Sequence, residues 1–354
     1  MNEFLPISDL VREAVKNEVF PTAAFAIGTA EGVLHKDWVN CNENTLYDMA
    51  SVTKIMATTA VAMKFVETGR LAVHEPVSRY FAVPKDKEGI TIFHLLTHTS
   101  GLPAHIMLRD MVQDPQHAVE YILNHPLENP VGKETVYSCM GFIILGKILE
   151  RIGKESLDVL AAKYIFDPLG MKDTVFNPIS QNVSADIAAT EFGAGTVHDE
   201  NACFLGGISG NAGLFSTILD TAKFAQMLAA ASVKGRCHSG LSGSSSVDTN
   251  PGELFSFATM QAFIRNRTPG MSESRGLGFS IYDGRAHSLG DLFSLGSFGH
   301  NGFTGTCLFV DKETGLYVVL LTNRVFFGRE NVEIINFRRR FHNYIYGIWS
   351  RMNS

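Results

Sequence analysis

Several features that would place the chain in a familiar class of protein are missing from its sequence. None of the five cysteines forms a CxxC pair and their number is odd, which argues against a disulfide framework or a zinc site and favours a reducing compartment. No apolar run approaches roughly 18 residues, so no integral membrane segment is expected. The first twenty residues are rich in charge and have no signal-peptide core. We therefore expect a soluble cytoplasmic protein, although a processed secreted chain would show the same pattern.

An excess of positive charge is also missing. Lys and Arg total 30 against 36 Asp and Glu, which gives a net charge of −6 and no global field that would attract nucleic acid. The one basic cluster, at 338–340, is interpreted as the solvated face of a terminal helix rather than a binding patch. The expected partner is a small-molecule or peptide substrate and not nucleic acid. The sequence does not indicate an oligomeric state.

Common catalytic and ligand-binding motifs are absent as well. There is no GxSxG, HExxH or GxxxxGK[ST] motif, and no GxGxxG that follows a strand and opens a helix. His94 and His98 have helical i,i+4 spacing, but no third metal ligand is evident nearby. Capping or hydrogen bonding in the core is therefore the favoured interpretation of both histidines. No metal and no organic cofactor is expected.

What the sequence does contain is a division into strand-rich ends and a helix-rich middle. Strand patterns are expected at 23–28, 33–34, 278–282, 306–310 and 316–322, of which the first two form a hairpin and the last two are joined by a turn at 311–315. Helical patterns are expected at 9–18, 51–68, 95–96, 118–123, 142–152, 157–165, 221–231 and 329–349. A Gly- and Ser-rich stretch at 235–252 is expected to be a flexible loop.

The simplest fold for this order is one sheet built from both termini and flanked by the terminal helices, with a helical insertion. The predicted class is α/β (α+β). We expect residues 1–80 and 272–354 to form an α/β sheet domain and residues 81–271 to form a mainly helical domain. The active site is expected in the cleft between the two.

The first candidate for chemistry is an S-x-x-K motif formed by Ser51 and Lys54. It lies at the expected start of a helix, so both side chains share one face. A serine hydroxyl is a poor nucleophile and needs a base within hydrogen-bonding distance. Lysine can be that base if burial or a neighbouring cation lowers its pKa. The alternative is Ser51 as a plain helix cap with a solvated Lys54.

Two further groups strengthen the catalytic interpretation. Tyr137 and Cys139 precede an apolar helix, and a tyrosine that faces a lysine can share its proton and act as a general acid or base. The stretch 299–305, GHNGFTG, lies just before a predicted strand, where glycine lets the backbone approach a ligand closely. The backbone N–H groups of Ser51 and Phe303 could then form an oxyanion hole.

With these motifs the chain resembles the serine β-lactamase and penicillin-binding-protein superfamily, especially its class C β-lactamase-like branch. That branch carries S-x-x-K, then Y-x-N or a variant, then a K/H-x-G triplet near the last strands. The stretches 95–103 (LLTHTSGLP) and 317–324 resemble it too. The resemblance implies the β-lactamase/transpeptidase-like fold, an antiparallel sheet with terminal helices and a helical insertion. Residues 197–202 and 212–216 are most similar to cell-wall hydrolases that act on muropeptides.

The resemblance also implies roles for individual residues. Ser51 is the acylated nucleophile, and Lys54 and Tyr137 share the proton transfers. His300 orients the substrate and tunes Tyr137, and the Phe303 amide joins that of Ser51 at the oxyanion. Cys139, Asn301 and Gly302 are placed at the substrate, with Gly302 as the glycine of close approach. The implied activity is a serine hydrolase acting through an acyl-enzyme on an amide or ester, with a peptidoglycan-derived peptide as the expected substrate.

Two departures from the family pattern leave alternatives open. Cys139 stands where Asn or Asp is usual, and a thiol is a weak hydrogen-bonding group. His300 replaces the lysine of typical β-lactamases. Both weaken the interpretation as a true β-lactamase, and Cys139 motivates a third one, a catalytically weak binding or sensor protein. Cys139 could equally be a structural apolar position. His198 and Glu200 either line the cleft or brace a loop.

Overall fold

The computed structural model describes residues 3–181, 185–233 and 254–353. The predicted loop at 235–252 lies outside the described residues, as does Cys237. The helices are α1 (Leu5–Lys16), α2 (Ala60–Glu67), α3 (Ile92–Leu96), α4 (Leu108–Met111), α5 (Ala118–Asn124), α6 (Cys139–Gly153), α7 (Leu157–Ala161), α8 (Glu200–Phe204), α9 (Ile218–Ser232), α10 (Phe257–Ile264) and α11 (Ile334–Met352). The strands are β1 (Ala23–Thr29), β2 (Gly32–Val39), β3 (Tyr47–Asp48), β4 (Val175–Phe176), β5 (Leu214–Ser216), β6 (Ser280–Ile281), β7 (Phe298–Asn301), β8 (Cys307–Val310) and β9 (Tyr317–Thr322).

Six strands from the two ends of the chain form one antiparallel sheet in the order β2-β1-β9-β8-β7-β6. The first strand of the hairpin, β1, pairs on its other side with β9, so the sheet joins residues about 300 positions apart in sequence. This confirms the predicted sheet built from both termini. A second, three-stranded sheet in the order β3-β5-β4 was not predicted, because its strands are only two or three residues long.

Side chains alternate across the large sheet and divide its packing between two faces. Phe25 of β1 and Leu320 of β9 lie in the core cluster that contains residues of α1 and α11. Ala24 and Val319, the neighbours of those residues along the chain, belong to the larger cluster that contains α9, α2 and α6. The terminal helices therefore cover one face, and the central helices cover the other.

The middle of the chain is mainly helical, as predicted. Helix α6 packs against α3, α5 and α7. Helix α9 lies within the predicted helical segment 81–271, yet it packs against β1, β8 and β9 of the sheet. The boundaries proposed for the two domains stay a prediction. No helix among residues 3–181, 185–233 and 254–353 is long and apolar enough to cross a membrane.

Two element boundaries differ from the sequence-based expectation near the site. No strand was predicted in the GHNG stretch, which was placed only just before the strand at 306–310, but its first part belongs to strand β7, in which His300 pairs with Leu308 of β8. Glycine and asparagine have low strand propensity, so this strand is recognised only by its pairing with β8 and β6. Strand β6 keeps only two of the five residues expected at 278–282. Helix α10 was not predicted.

Candidate active site

Ser51 lies in a short 3₁₀ turn, Ala50–Val52, which runs through a π-helical segment, Lys54–Thr59, into α2. The preceding residue, Ala50, has a φ of 44°, a left-handed conformation that costs a non-glycine residue about 1–2 kcal/mol. A buried carboxylate oxygen of Asp48 accepts a hydrogen bond from the Ala50 amide at 2.7 Å and fixes this turn. Because Ser51 is in the first turn of a helical segment, its own N–H has no partner within that segment.

Lys54 is fully buried and points at Ser51, so the alternative of a solvated lysine is wrong. Its Nζ lies 2.9 Å from the Ser51 Oγ and donates to the backbone oxygen of Asn211 at 2.8 Å. It also lies 3.7 Å from the Sγ of Cys139. Three contacts that converge on one ammonium group hold the lysine in a single position beside the hydroxyl.

Tyr137 approaches Ser51 from the helical side of the cleft, with its OH 2.7 Å from the Ser51 Oγ. Its ring packs on His98 with 4.6 Å between the ring centroids. The next residue, Ser138, caps α6 through its side chain and donates its own backbone N–H to His98 Nδ1 at 3.1 Å. The start of α6 therefore fixes the phenol.

The environment sets the protonation of these groups. Burial by itself lowers the pKa of Lys54, but the adjacent Cys139 and Tyr137 side chains raise it, and the net direction is upward. Burial raises the pKa of Tyr137 against the opposing charge of Lys54, and burial also raises the pKa of Cys139. A lowered pKa, the condition under which Lys54 could act as the base, is therefore not met in the resting site. At neutral pH the ammonium is charged and the phenol and thiol are neutral.

The third side of the site is the segment that joins β7 to β8. A Cβ atom at Gly302 would lie 2.7 Å from the Met49 carbonyl oxygen and still closer to the Thr306 Oγ1, so only glycine fits there. Thr304 donates to the Asp48 carbonyl at 2.7 Å, and Thr306 donates to that of Met49 at 3.1 Å. These contacts hold the β7–β8 segment against the turn that precedes Ser51, and the close approach of Gly302 to a ligand stays a prediction.

Phe303, the predicted second oxyanion donor, follows directly. Its side chain is half-exposed and its carbonyl accepts a hydrogen bond from Arg324 Nε at 2.8 Å. The Arg324 guanidinium also lies 4.4 Å from the centre of the Phe303 ring. Phe303 is therefore held by both its backbone and its ring, although its side chain faces the open cleft.

His300 is buried, and its ring centroid lies 5.8 Å from that of Tyr137. Its Nδ1 lies 2.7 Å from the Asn301 carbonyl oxygen, so Nδ1 carries the proton and Nε2 presents a lone pair. Burial, with the nearby charges of Arg275 and Lys54, lowers the pKa of His300 well below its ordinary value. His300 is therefore neutral at pH 7 and supplies no fixed cation. Asn301 donates from Nδ2 to Ser288 Oγ at 2.8 Å.

These side chains line a cleft of about 760 Å³. Seven of the eight predicted site residues border this cleft: Ser51, Tyr137, Cys139, His300, Asn301, Gly302 and Phe303. The eighth, Lys54, lies directly behind Ser51. The cleft wall includes the exposed side chains of Val332 and Ile335 from the region of α11.

Three arginines at the site were not singled out from the sequence. Arg275 lies in the cleft wall with its guanidinium 5.2 Å from the Tyr137 ring, and Arg324 and Arg338 contact the β7–β8 segment. The interpretation of 338–340 as a solvated face is wrong for Arg338, which is buried. A signal was present, since residue 338 shares the helical spacing of Ile334 and Phe341 on the apolar face.

His198 and Glu200, left open between lining and bracing, do both. Both border the cleft, and Glu200 accepts a hydrogen bond from Arg329 at 2.7 Å. The His198 ring stacks between Phe192 and Phe303, with centroid distances of 4.9 and 5.6 Å. Its backbone N–H donates to Asp48 at 2.7 Å. His198 thus connects the cleft rim to the turn that carries Ser51.

The two histidines considered as metal ligands have other partners. His94 Nδ1 lies 3.1 Å from the Thr91 amide and completes a capping box at α3, and His98 accepts the Ser138 amide. This confirms the capping and core roles predicted for them. Within the described part of the chain, no group of three or more His, Cys, Asp or Glu side chains is placed to hold a metal ion.

Comparison with known proteins adds the decisive observation. A family model described as Beta-lactamase matches residues 7–339. The chain belongs to the β-lactamase family. It is therefore a serine hydrolase of that family, in the class C-like branch predicted from its motifs. The roles of its individual site residues remain predictions.

Relatives of this β-lactamase-family chain agree in extent and fold. A protein of Salmonella paratyphi A (strain ATCC 9150 / SARB42), named "Putative D-alanyl-D-alanine carboxypeptidase", is 32% identical in an alignment 324 positions long that covers 81% of this chain and 71% of the relative. A β-lactamase from Mycobacterium bovis is 22% identical, covers 94% of this chain and 97% of its own, and has a TM-score of 0.64. Simvastatin synthase (LovD) from Aspergillus terreus is 20% identical over 97% and 98%, with a TM-score of 0.70. These structures confirm the predicted fold.

Proposed function

We propose that this chain hydrolyses an amide or ester through an acyl-enzyme on Ser51, with a peptidoglycan-derived peptide ending in a free carboxylate as substrate. One observation carries the proposal. The Ser51 hydroxyl oxygen lies 2.9 Å from the Lys54 Nζ and 2.7 Å from the Tyr137 OH, at the floor of the cleft. A nucleophile with two titratable groups at hydrogen-bonding distance is the arrangement that acyl transfer requires.

The proton path follows from these contacts. In the resting site, Lys54 and Tyr137 both hold protons and both point at the Ser51 oxygen. One of the two must lose its proton before it can accept that of Ser51. The Ser51 oxygen then attacks the carbonyl carbon, and the accepted proton passes to the leaving amine or alcohol as its bond to carbon breaks. Water then attacks the acyl carbon and gives a proton to the same base. That proton passes to the Ser51 Oγ as the ester bond breaks and the acid is released.

The developing oxyanion is placed between the backbone N–H groups of Ser51 and Phe303. The Thr304 and Thr306 hydrogen bonds hold the two segments that carry these amides together. Donors fixed in advance need no rearrangement as charge develops, which is the basis of oxyanion stabilisation.

The charge of the cleft supports a substrate that carries a carboxylate. His300 is neutral, so the cation that a β-lactamase lysine would offer is missing at that position. Arg275 lies on the same side, with 8% of its surface exposed and its guanidinium next to the Tyr137 ring. Its Nε donates to Glu273 at 3.0 Å, but the Glu273 side chain is half-exposed and free to yield to a substrate anion. The carboxypeptidase-type name of the Salmonella relative agrees with a peptide that ends in a carboxylate.

Three substrates separate the possible activities: a peptide ending in D-Ala-D-Ala, an aryl ester and a penicillin. We expect release of D-Ala and ester hydrolysis, and a penicillin adduct on Ser51 that mass spectrometry and a peptide map would locate. Slow loss of the adduct would identify a penicillin-binding type, whereas rapid turnover of penicillin would indicate a true β-lactamase. Ser51→Ala should remove all adduct and lower kcat by roughly a million-fold while folding is retained. Turnover by Ser51→Ala close to that of the unchanged protein would disprove the acyl-enzyme.

We also propose that the protein works in the cytoplasm, on recycled muropeptides or small esters. The scattered cysteines support a reducing compartment, and the four that the structure describes are free thiols. Fractionation of cells should place the protein with cytoplasmic markers. Recovery mainly from outside the cytoplasmic membrane would overturn this location.

A further inference from the structure

Arg338 is a buried cation without a counter-ion in the part of the chain that the structure describes. It lies on α11, and 7% of its surface is exposed. None of the ion pairs formed by the described residues includes it. Burying a charge without an opposite charge is costly, so hydrogen bonds to the ion must compensate.

The Arg338 guanidinium hydrogen-bonds to two backbone carbonyl groups of the oxyanion segment and also interacts with the buried Cys307 thiol. One guanidinium nitrogen donates to the Gly302 oxygen at 2.9 Å and to the Thr306 oxygen at 2.7 Å. These two carbonyls lie at the two ends of the β7–β8 connection. The guanidinium thus joins the ends of the segment that carries the Phe303 N–H.

The Gly302 carbonyl and the Phe303 N–H belong to the same peptide unit. No cis peptide bond occurs in the described residues, so this C=O and N–H point in opposite directions. The guanidinium therefore binds one end of the peptide, and the other end is the proposed oxyanion donor. A charged donor on the carbonyl polarises the amide and strengthens its N–H as a donor, because linked hydrogen bonds reinforce one another.

Arg324 provides an internal contrast. It contacts the same segment but donates to the Phe303 carbonyl, which belongs to the following peptide unit. Its charge therefore does not act on the unit that contains the Phe303 N–H. Of these two arginines, only Arg338 donates a hydrogen bond to the peptide unit that carries the proposed oxyanion donor.

We propose that Arg338 is a positioning residue of the oxyanion hole, whose buried guanidinium fixes and polarises the Gly302–Phe303 peptide so that the Phe303 N–H binds the oxyanion more strongly. The proposal rests on the function proposed above, since it requires an oxyanion at Phe303. It explains why a cation occupies the buried face of α11, where the other buried residues are hydrophobic except for His342.

The test compares an aryl ester with its thionoester, in which sulfur replaces the carbonyl oxygen. Sulfur is a weak hydrogen-bond acceptor, so a strong oxyanion donor accelerates hydrolysis of the ester more than that of the thionoester. For Arg338→Met we expect kcat for the ester to fall about tenfold, less than the 100- to 1,000-fold loss of a donor itself, with KM unchanged. In the same variant, kcat/KM for the ester divided by kcat/KM for the thionoester should also fall. Arg338→Lys, which keeps the charge, should give intermediate values.

Arg340→Met is the matched control, since Arg340 is exposed on the same helix and lies outside the cleft. Near-UV circular dichroism and Tm report folding, and Arg338→Lys carries the test if Arg338→Met fails to fold. Equal losses for ester and thionoester, or no loss, would overturn the role of Arg338 while leaving the acyl-enzyme intact. Turnover that survives Ser51→Ala would instead overturn the proposed function, and the role of Arg338 with it.

Discussion

The two walls of the cleft are built in different ways. On the helical wall, Ser51 and Lys54 are three residues apart and meet through the geometry of one helical turn. On the sheet wall, Thr304 bonds to the carbonyl of Asp48, a residue 256 positions earlier, and Arg338 bonds to Gly302 from another helix. The proposed nucleophile and its lysine thus come from one short motif, whereas the proposed oxyanion hole depends on contacts between distant parts of the chain. Substitutions on the helical wall should therefore lower kcat with little effect on stability, whereas substitutions on the sheet wall should lower both.

The largest effect is expected on the helical wall. Tyr137→Phe keeps the ring that packs on His98 but removes the OH at 2.7 Å from Ser51. General acid–base catalysis contributes roughly 100- to 10,000-fold, and we expect kcat to fall within that range with little change in Tm. Steady-state kinetics on the aryl ester measures it.

Tyr121→Phe is the matched control for this substitution, since it removes a phenol that does not border the cleft. Activity of Tyr137→Phe within a factor of two of that control would show that Lys54 alone carries the proton. The helical wall would then need only the two residues of its motif.

A smaller effect is expected from the sheet wall, and it should include stability. Gly302→Ala places a methyl group against the Met49 carbonyl oxygen and the Thr306 side chain. We expect a loss of about 1–3 kcal/mol in the free energy of unfolding, the usual cost of overpacking. A drop in kcat of roughly 100-fold should accompany it, because the Phe303 amide moves with the segment. Denaturant unfolding and ester kinetics measure the two effects.

Gly89→Ala serves as the control for Gly302→Ala, because a Cβ at Gly89 meets no atom within 4 Å. If Gly302→Ala keeps both its stability and its kcat, the close approach of the two segments is not needed and the contrast between the walls disappears.

A further change concerns substrate choice. Arg275→Gln should raise KM about tenfold for a peptide ending in a free carboxylate, and leave KM for the same peptide with a C-terminal amide unchanged, because only the carboxylate gains a charge-assisted hydrogen bond. Arg109→Gln, an exposed arginine outside the cleft, is the control. An equal change for both peptides would show that Arg275 supports the fold and does not bind the carboxylate.

The smallest expected effect is that of His300→Gln on the shape of the pH profile of kcat/KM. The pKa values of Lys54 and Tyr137 are raised, so the deprotonated fraction of the pair grows with pH, and kcat/KM should rise through the neutral range by up to about tenfold per unit. The pKa of His300 is lowered well below 6.5, so no inflection near that value is expected, and His300→Gln should keep the shape. An inflection near pH 6.5 that disappears in His300→Gln would show that the histidine titrates.

Much of the site was predictable because catalytic motifs are short. A hydroxyl and an amine three residues apart share a helical face wherever the helix forms, so Ser51 and Lys54 could be paired before the fold was known. The sheet from both termini was predictable from alternating apolar runs, although β7 was not, since its Gly-His-Asn sequence resembles a turn.

Protonation was the property that sequence could not predict. A lysine beside a serine can act as its base only if its pKa is lowered, and that pKa depends on every group within a few ångströms. The side chains of Cys139 and Tyr137 come from another part of the chain, and the negative charge of their ionised forms raises the pKa of Lys54 against the effect of burial. The pKa of His300 likewise depends on the tertiary structure, since burial and the nearby charge of Arg275 lower it and keep the ring neutral.

The sequence by itself determined the family and most of the order of strands and helices, and it placed Ser51 and Lys54 one helical turn apart, because these features depend on spacing and pattern along the chain. Tertiary structure decided which cations are buried at the site and what they bond to. Arg338 and Arg324 lie far along the chain from Ser51, yet they hold the β7–β8 segment through backbone carbonyls. Backbone carbonyls are present at every residue, so no sequence pattern marks the ones that an arginine will reach.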